Sequence, residues 1–185
     1  INQDPRPYEM RFWDLIRGTR QSPGGIVAKA IAGIELALVD IKAKALGISV
    51  VELFGGPTRK DVRVYWSHCG TSRATSSELL GTPPLKTMED IADLGREVVS
   101  QGFTALKTNI ILPGEPASVY FTGFGGPPGT TDGTVSNEML DHIENLIGTF
   151  RSSVGSGVDI NLDLNFNFKP EACMRIAQIL EPFDL

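Results

Sequence analysis

Between Val158 and Asn165 the side chains alternate without a break. Val158, Ile160, Leu162 and Leu164 are apolar, whereas Asp159, Asn161, Asp163 and Asn165 are polar. Successive side chains of a strand point to opposite faces, so this segment reads as a strand with one apolar and one polar face. In an open doubly wound sheet the helices cover both faces, and central strands are apolar on both. Here one face suits helices and the other a polar interior, which favours a closed α/β barrel.

The surrounding pattern agrees. Val62-Arg63-Val64-Tyr65-Trp66 alternates as a strand. Thr87 caps a helix whose stripe is Ile91, Leu94 and Val98, with Asp90 placed for a capping box. Gly102 ends that helix, and a strand follows from Phe103 to Asn109. A third repeat joins a helix carrying Leu140, Ile143, Ile147 and Phe150 to the strand that ends at Asn165. A last helix runs from about Pro170, a suitable first-turn residue, to Leu180. Strand and helix alternating in this way specify a parallel sheet with helical crossovers. Glu181 to Leu185 reads as a loop entering a further strand.

The first 60 residues differ. From Val27 to Leu46, Ile31, Ile34, Leu38, Ile41 and Ala45 recur at steps of three and four, the stripe of a helix packed on a core, and Gly47 supplies a left-handed stop. Asp40 beside that stripe is expected to be a buried carboxylate that caps a neighbouring loop. Tyr8, Phe12, Trp13, Leu15 and Ile16 imply a shorter helix before it. The expected division is therefore residues 1–60, a helical region, and 61–185, a βα region. Residues 113–136 are rich in Gly and Pro and include Tyr120, Phe121 and Phe124, a composition suited to a long loop over an active site or to a mobile insertion.

Composition excludes several partners. The chain of 185 residues carries a net charge of −5 without a basic run, so nucleic acid and anionic membranes are not expected to bind it. No apolar stretch approaches the roughly 20 residues that span a bilayer, and a cytoplasmic location is the default expectation. Cys69 and Cys173 are too few and too far apart for a disulfide framework, and read as packed thiols. The segment Gly123-Phe124-Gly125-Gly126 leads into two prolines rather than a helix and fails the context test for a phosphate loop.

Chemistry is expected where the strands end, because the carboxyl ends of barrel strands carry the active site. Lys107 and Asn109 share one strand face, as do Asp163 and Asn165. Asp163 offers the oxygen donors that magnesium prefers, and Asn165 offers a carbonyl to the metal or a hydrogen bond to a substrate hydroxyl. Lys107 supplies a cation for a carboxylate or a developing enolate oxygen; the same spacing also allows an ion pair with Asp163 inside the sheet. His68, just past the first strand, reads as an acid or base near neutral pH or as a structural residue. His142, within a helix, is expected to be solvated.

Ala37-Leu38-Val39-Asp40-Ile41-Lys42-Ala43-Lys44-Ala45-Leu46-Gly47 with Leu53-Phe54-Gly55-Gly56, then Gly102 to Asn109, then Leu162-Asp163-Leu164-Asn165, resemble in order three segments of the mandelate racemase and sugar-acid dehydratase branch of the enolase superfamily. The resemblance implies a TIM-type (β/α)7β barrel under an α+β capping domain. Residues 1–60 would be the helical end of the cap, and 61–185 the first three barrel strands with the start of the fourth. It also implies Mg2+ bound by acidic residues at successive strand ends, with Asp163 as the first ligand and the others, like the general base, beyond Leu185. A complete barrel needs roughly 250 residues, so the chain reads as a fragment.

Such enzymes remove the proton next to a substrate carboxylate and stabilise an enediolate. Racemases of this branch commonly carry two lysines at the second strand, whereas this chain has Lys107 and then Asn109. An amide does not accept a proton at neutral pH, and the Lys-x-Asn form resembles the dehydratases that act on acids such as galactonate. The expectation is thus a magnesium-dependent lyase acting on a small carboxylate, as an oligomer of identical chains. Lys107 is its catalytic cation; Asn109, Asn165 and His68 bind substrate. A racemase or cycloisomerase on the same scaffold, or a barrel that binds a small acid without catalysis, are the alternatives.

Overall fold

The computed structural model describes residues 3–121 and 133–185. They divide into two compact units, 1–62 and 63–185. In the first, α1 (Tyr8–Gly18) packs on α2 (Gly25–Leu46), and α3 (Val50–Leu53) follows. Gly47, at φ 69°, stops α2 as anticipated, and the amides of Gly47 and Ile48 return to the carbonyls of Lys44 and Ala43. Ser49 and Glu52 then close a capping box on α3.

The buried strip of α2 is not the expected one. Ile31, Val39 and Ala43 are buried, while Ile34 and Ile41 are 46% and 47% exposed. This helix is apolar on nearly every side, so periodicity does not single out one face, and its packed neighbours α1 and α3 are short. Asp40 is likewise not a buried cap; it is half exposed and pairs with Lys44 at 2.6 Å, one turn along the same helix.

The second unit contains α4 (Thr71–Leu80), α5 (Met88–Ser100), β1 (Ala105–Thr108), a small antiparallel pair of β2 (Ile111–Leu112) and β3 (Ser118–Val119), α6 (Asn137–Val154), β4 (Asp159–Leu162) and α7 (Pro170–Leu180). β1 and β4 are adjacent and parallel, Lys107 opposite Asn161 and Thr108 opposite Leu162. A helix-bearing crossover between neighbouring parallel strands is the βα arrangement that the alternation called for. The capping box on α5 forms, the Asp90 carboxylate accepting from the Thr87 amide at 2.7 Å. α7 begins and ends where its sequence suggested.

Ile91, Leu94 and Val98 of α5, Ile143, Ile147 and Phe150 of α6, and Ile176 of α7 bury one continuous apolar cluster with Leu106 and Ile160 of the strands. Each fully buried side chain of this kind contributes about 1.5–3 kcal/mol. The even residues of the 158–165 segment face this core, as expected, and Asp159 and Asn161 are exposed. At the amino ends of the strands Arg63 bridges Asp159 at 2.6 Å and Thr104 at 2.8 Å, tying the sheet together opposite the candidate site.

Two expectations change. The strand proposed for 62–66 survives only as one bridge, Trp66 with Leu106, because Arg63 turns to Thr104 and Asp159 instead of continuing the ladder. Residues 181–183 after α7 form a 3-10 turn, and Asp184 adopts φ 53°. The Gly- and Pro-rich loop contains β3, and Tyr120 stacks on Phe168 with ring centroids 5.7 Å apart. Phe124 and the rest of the segment 122–132 lie outside the described residues.

Candidate active site

The sheet register brings together two strand ends 56 residues apart. Lys107 Nζ donates to Asp163 Oδ2 at 3.1 Å, with side chains 22% and 32% exposed. The chain past β4 is fixed by backbone: the Asp163 amide donates to the Thr108 carbonyl at 2.8 Å. The Asn165 amide then donates to Asp163 Oδ1 at 3.0 Å. That bond first, and the Lys107 ammonium second, hold the Asp163 carboxyl below its ordinary range, with the nearby His68 contributing in the same direction. Asp163 is thus a carboxylate at neutral pH, and both of its oxygens are oriented.

Asn109 is 1% exposed and is not laid out toward solvent. Its Nδ2 donates to the backbone carbonyl of Asp163 at 3.2 Å, and its Oδ1 accepts from Thr71 Oγ1 at 2.6 Å. His68 Nδ1 lies 3.3 Å from the same oxygen. Asn109 therefore clasps β1, the β4 outlet and the start of α4 together. Thr71 was not anticipated, since α4 as a whole carries no clear periodic stripe in Thr71-Ser72-Arg73-Ala74-Thr75-Ser76. The Cys69 amide adds a further link, donating to the Lys107 carbonyl at 2.7 Å.

Several backbones here are left-handed. His68 has φ 50°, Asn165 φ 52° and Phe166 φ 59°. Non-glycine residues in this region cost about 1–3 kcal/mol each, and such strain concentrates at functional sites. Asn165 also presents an anomaly: its Nδ2 is buried and without a hydrogen-bond partner among the described residues. Leaving a buried donor unsatisfied costs about 1–3 kcal/mol, which a ligand oxygen would recover. Orientation of this amide toward donation fits a substrate oxygen better than a metal.

The donor set for a metal is partial. Each Asp163 oxygen keeps a lone pair beyond the hydrogen bond it accepts, so the carboxylate suits a hard cation. Among the described residues no group of three or more His, Cys, Asp or Glu is assembled, so Asp163 would be one ligand of a larger set. His142, expected to be solvated, is instead half buried, its Nε2 2.7 Å from the Ile111 carbonyl. It packs α6 onto β2 and stays out of the site. Cys69 is fully buried, which pushes its thiol up to about 12, and no disulfide forms. No helix of the described residues is long and apolar enough to cross a membrane.

Residues 1–55 match the family profile of the mandelate racemase / muconate lactonizing enzyme N-terminal domain. Over its whole length the chain is 27% identical to a D-galactonate dehydratase family member of Oceanicola granulosus, covering 45% of that protein. Over 99% of its length it is 28% identical to a D-mannonate dehydratase of a Sphingomonas species, covering 43% of it. The chain thus spans somewhat less than half of these relatives. A crystal structure of a candidate L-alanine-DL-glutamate epimerase from Burkholderia xenovorans superposes with a TM-score of 0.90 at 34% identity, all of this chain covering 47% of that one. The same protein is also known bound to magnesium and fumarate. A candidate dehydratase from Zymomonas mobilis shares the fold at a TM-score of 0.78 and 23% identity. The α/β fold is that of enolase-superfamily proteins, and the resemblance read from the sequence holds.

Proposed function

We propose that residues 1–185 form part of a magnesium-dependent dehydratase of sugar acids. In this reading residues 1–60 complete a capping domain, and 61–185 open a (β/α)7β barrel. The observation that carries it is the Lys107–Asp163 pair, held 3.1 Å apart at the carboxyl ends of adjacent parallel strands. Names of the relatives supply the substrate class: galactonate, mannonate and, in Thermoproteus tenax, gluconate dehydratases.

Magnesium, held by Asp163 and by acidic residues outside this chain, would bind the substrate carboxylate and offset the charge that develops when the α-proton leaves. Lys107 directs its ammonium at a carboxylate oxygen, and its donation strengthens as that oxygen gains charge in the enediolate. Asn165 offers its unpartnered Nδ2 to a substrate oxygen. Asn109 takes no proton, so the base must come from elsewhere in the whole protein. The α-proton passes to that base, the β-hydroxyl takes up a proton and departs as water, and the enol product tautomerises to a 2-keto-3-deoxy acid; one proton is removed and one returned, so the net change is loss of water. The substrate is a small carboxylate, with no nucleic acid or membrane surface involved; an assembly of identical chains and a cytoplasmic location complete the reading.

A second reading, an epimerase, draws support from the Burkholderia xenovorans likeness. Incubating the full-length protein and magnesium with a panel of hexonates separates them. Release of a 2-keto acid, read as its semicarbazone, supports the dehydratase. Exchange of the α-hydrogen with solvent deuterium without keto acid supports the epimerase, and neither outcome leaves a binding protein.

A further inference from the structure

We infer that Asn109 is a positioning residue that holds His68 in one tautomer and turns its Nε2 into an acceptor for a substrate hydroxyl. The Asp163 backbone carbonyl only accepts, so the Asn109 group 3.2 Å from it must be the amide NH2. Asn109 Oδ1 therefore faces Thr71 and His68, at 2.6 Å and 3.3 Å. An amide oxygen also only accepts, so Nδ1 of His68 must carry the proton. In the neutral ring Nε2 is then a bare lone pair.

Three further observations give this a purpose. Nε2 has no hydrogen bond among the described residues, and the ring is exposed beside the Lys107–Asp163 pair. Asn109, by contrast, is 1% exposed, so a buried relay is spent on orienting an exposed ring. His68 also sits at φ 50°, a left-handed backbone that a loop without a task would give to Gly or Asn. A lone-pair acceptor next to a carboxylate-binding cation suits a hydroxy acid: the ammonium takes the carboxylate, and the imidazole takes a hydroxyl proton in a hydrogen bond. The hydroxyl partner rests on the sugar-acid reading above; the tautomer does not.

The test is 15N NMR of histidine-labelled full-length protein at about pH 8.5, some two units above the usual histidine value. His68 is assigned by its loss in His68→Gln. The wild type should show a protonated Nδ1 and a bare Nε2. Asn109→Leu should convert His68 to mainly the Nε2–H form that histidine prefers in water, while Thr71→Val, which leaves the Asn109 oxygen in place, should keep the wild-type pattern. D-galactonate, D-mannonate and D-gluconate are then added in turn, and at least one should shift Nε2, whereas hexanoate should not. A wild-type Nε2–H signal, or a folded Asn109→Leu protein with an unchanged tautomer, overturns the positioning role even if Asn109→Ala is needed to obtain folded material. Silence of Nε2 toward all three hexonates overturns the acceptor role. A correct tautomer in a protein that forms no keto acid would defeat the dehydratase reading and leave the positioning intact.

Discussion

Removing the Lys107 ammonium should cost folding stability through Asp163, by an amount that depends on pH in a fixed direction. At 3.1 Å, and with an effective dielectric near 20, the bare attraction is about 5 kcal/mol. Desolvating two half-buried ions takes back several kcal/mol, and exposed pairs are worth only about 0–1 kcal/mol. With side chains 22% and 32% exposed, the pair lies between these limits, and a net coupling of about 1–2 kcal/mol is expected. The measurement is a double-mutant cycle of Lys107→Met, Asp163→Asn and both together, by urea denaturation of the metal-free full-length protein. Asp163 is held below its ordinary range in the fold, so it contributes stability above its unfolded value, about 3.9, and loses it as pH falls through the lower folded value. The coupling should therefore be complete at pH 7 and vanish at acid pH. A coupling near zero at pH 7, or one that survives acidification, would refute the reasoning.

Two further outcomes probe the frame. A Cβ added at Gly95 of α5 would lie 2.9 Å from Ser153 Cβ of α6 and closer still to its Oγ. Overpacking of this kind costs about 1–3 kcal/mol against a helix-propensity gain of about 1 kcal/mol, so Gly95→Ala should lower the urea midpoint and Gly95→Ala/Ser153→Gly should recover it; a stabilised Gly95→Ala would contradict the close approach. Cys69, buried and with its thiol pushed up to about 12, should escape iodoacetamide at pH 8 in the native protein while half-buried Cys173 is alkylated. Peptide mapping that found Cys69 modified first would place it wrongly in the core.

Elements with a one-sided apolar pattern were legible in the sequence. α7 runs from Pro170 to Leu180 as read, and the stripes of α5 and α6 are buried. Where the pattern was ambiguous the reading slipped: α2 is apolar on most sides, so its buried strip follows its neighbours rather than its own periodicity. α4 went unseen because Ser and Thr fill it, residues that favour caps and turns over helix interiors. Lys107 and Asp163 were legible as strand-end residues, and their ion pair was one of two meanings left open. What sequence spacing does not reveal is the clasp around Asn109, since Thr71 and the Asp163 carbonyl lie 38 and 54 residues from it and only the folded sheet joins them. Nor does spacing reveal that Asn165 keeps an unpartnered donor.

In the proposed function, Asp163 is a magnesium ligand at the site of sugar-acid dehydration. The most direct test of this role is a magnesium titration of the full-length wild type and Asp163→Asn, following keto-acid formation on the active hexonate and thermal melting together. The wild type should need magnesium for turnover and gain about 2.7 kcal/mol of stability at one hundred times the dissociation constant. Asp163→Asn, folded by circular dichroism, should lose both responses. A folded Asp163→Asn protein with unchanged magnesium affinity and turnover would contradict the claim.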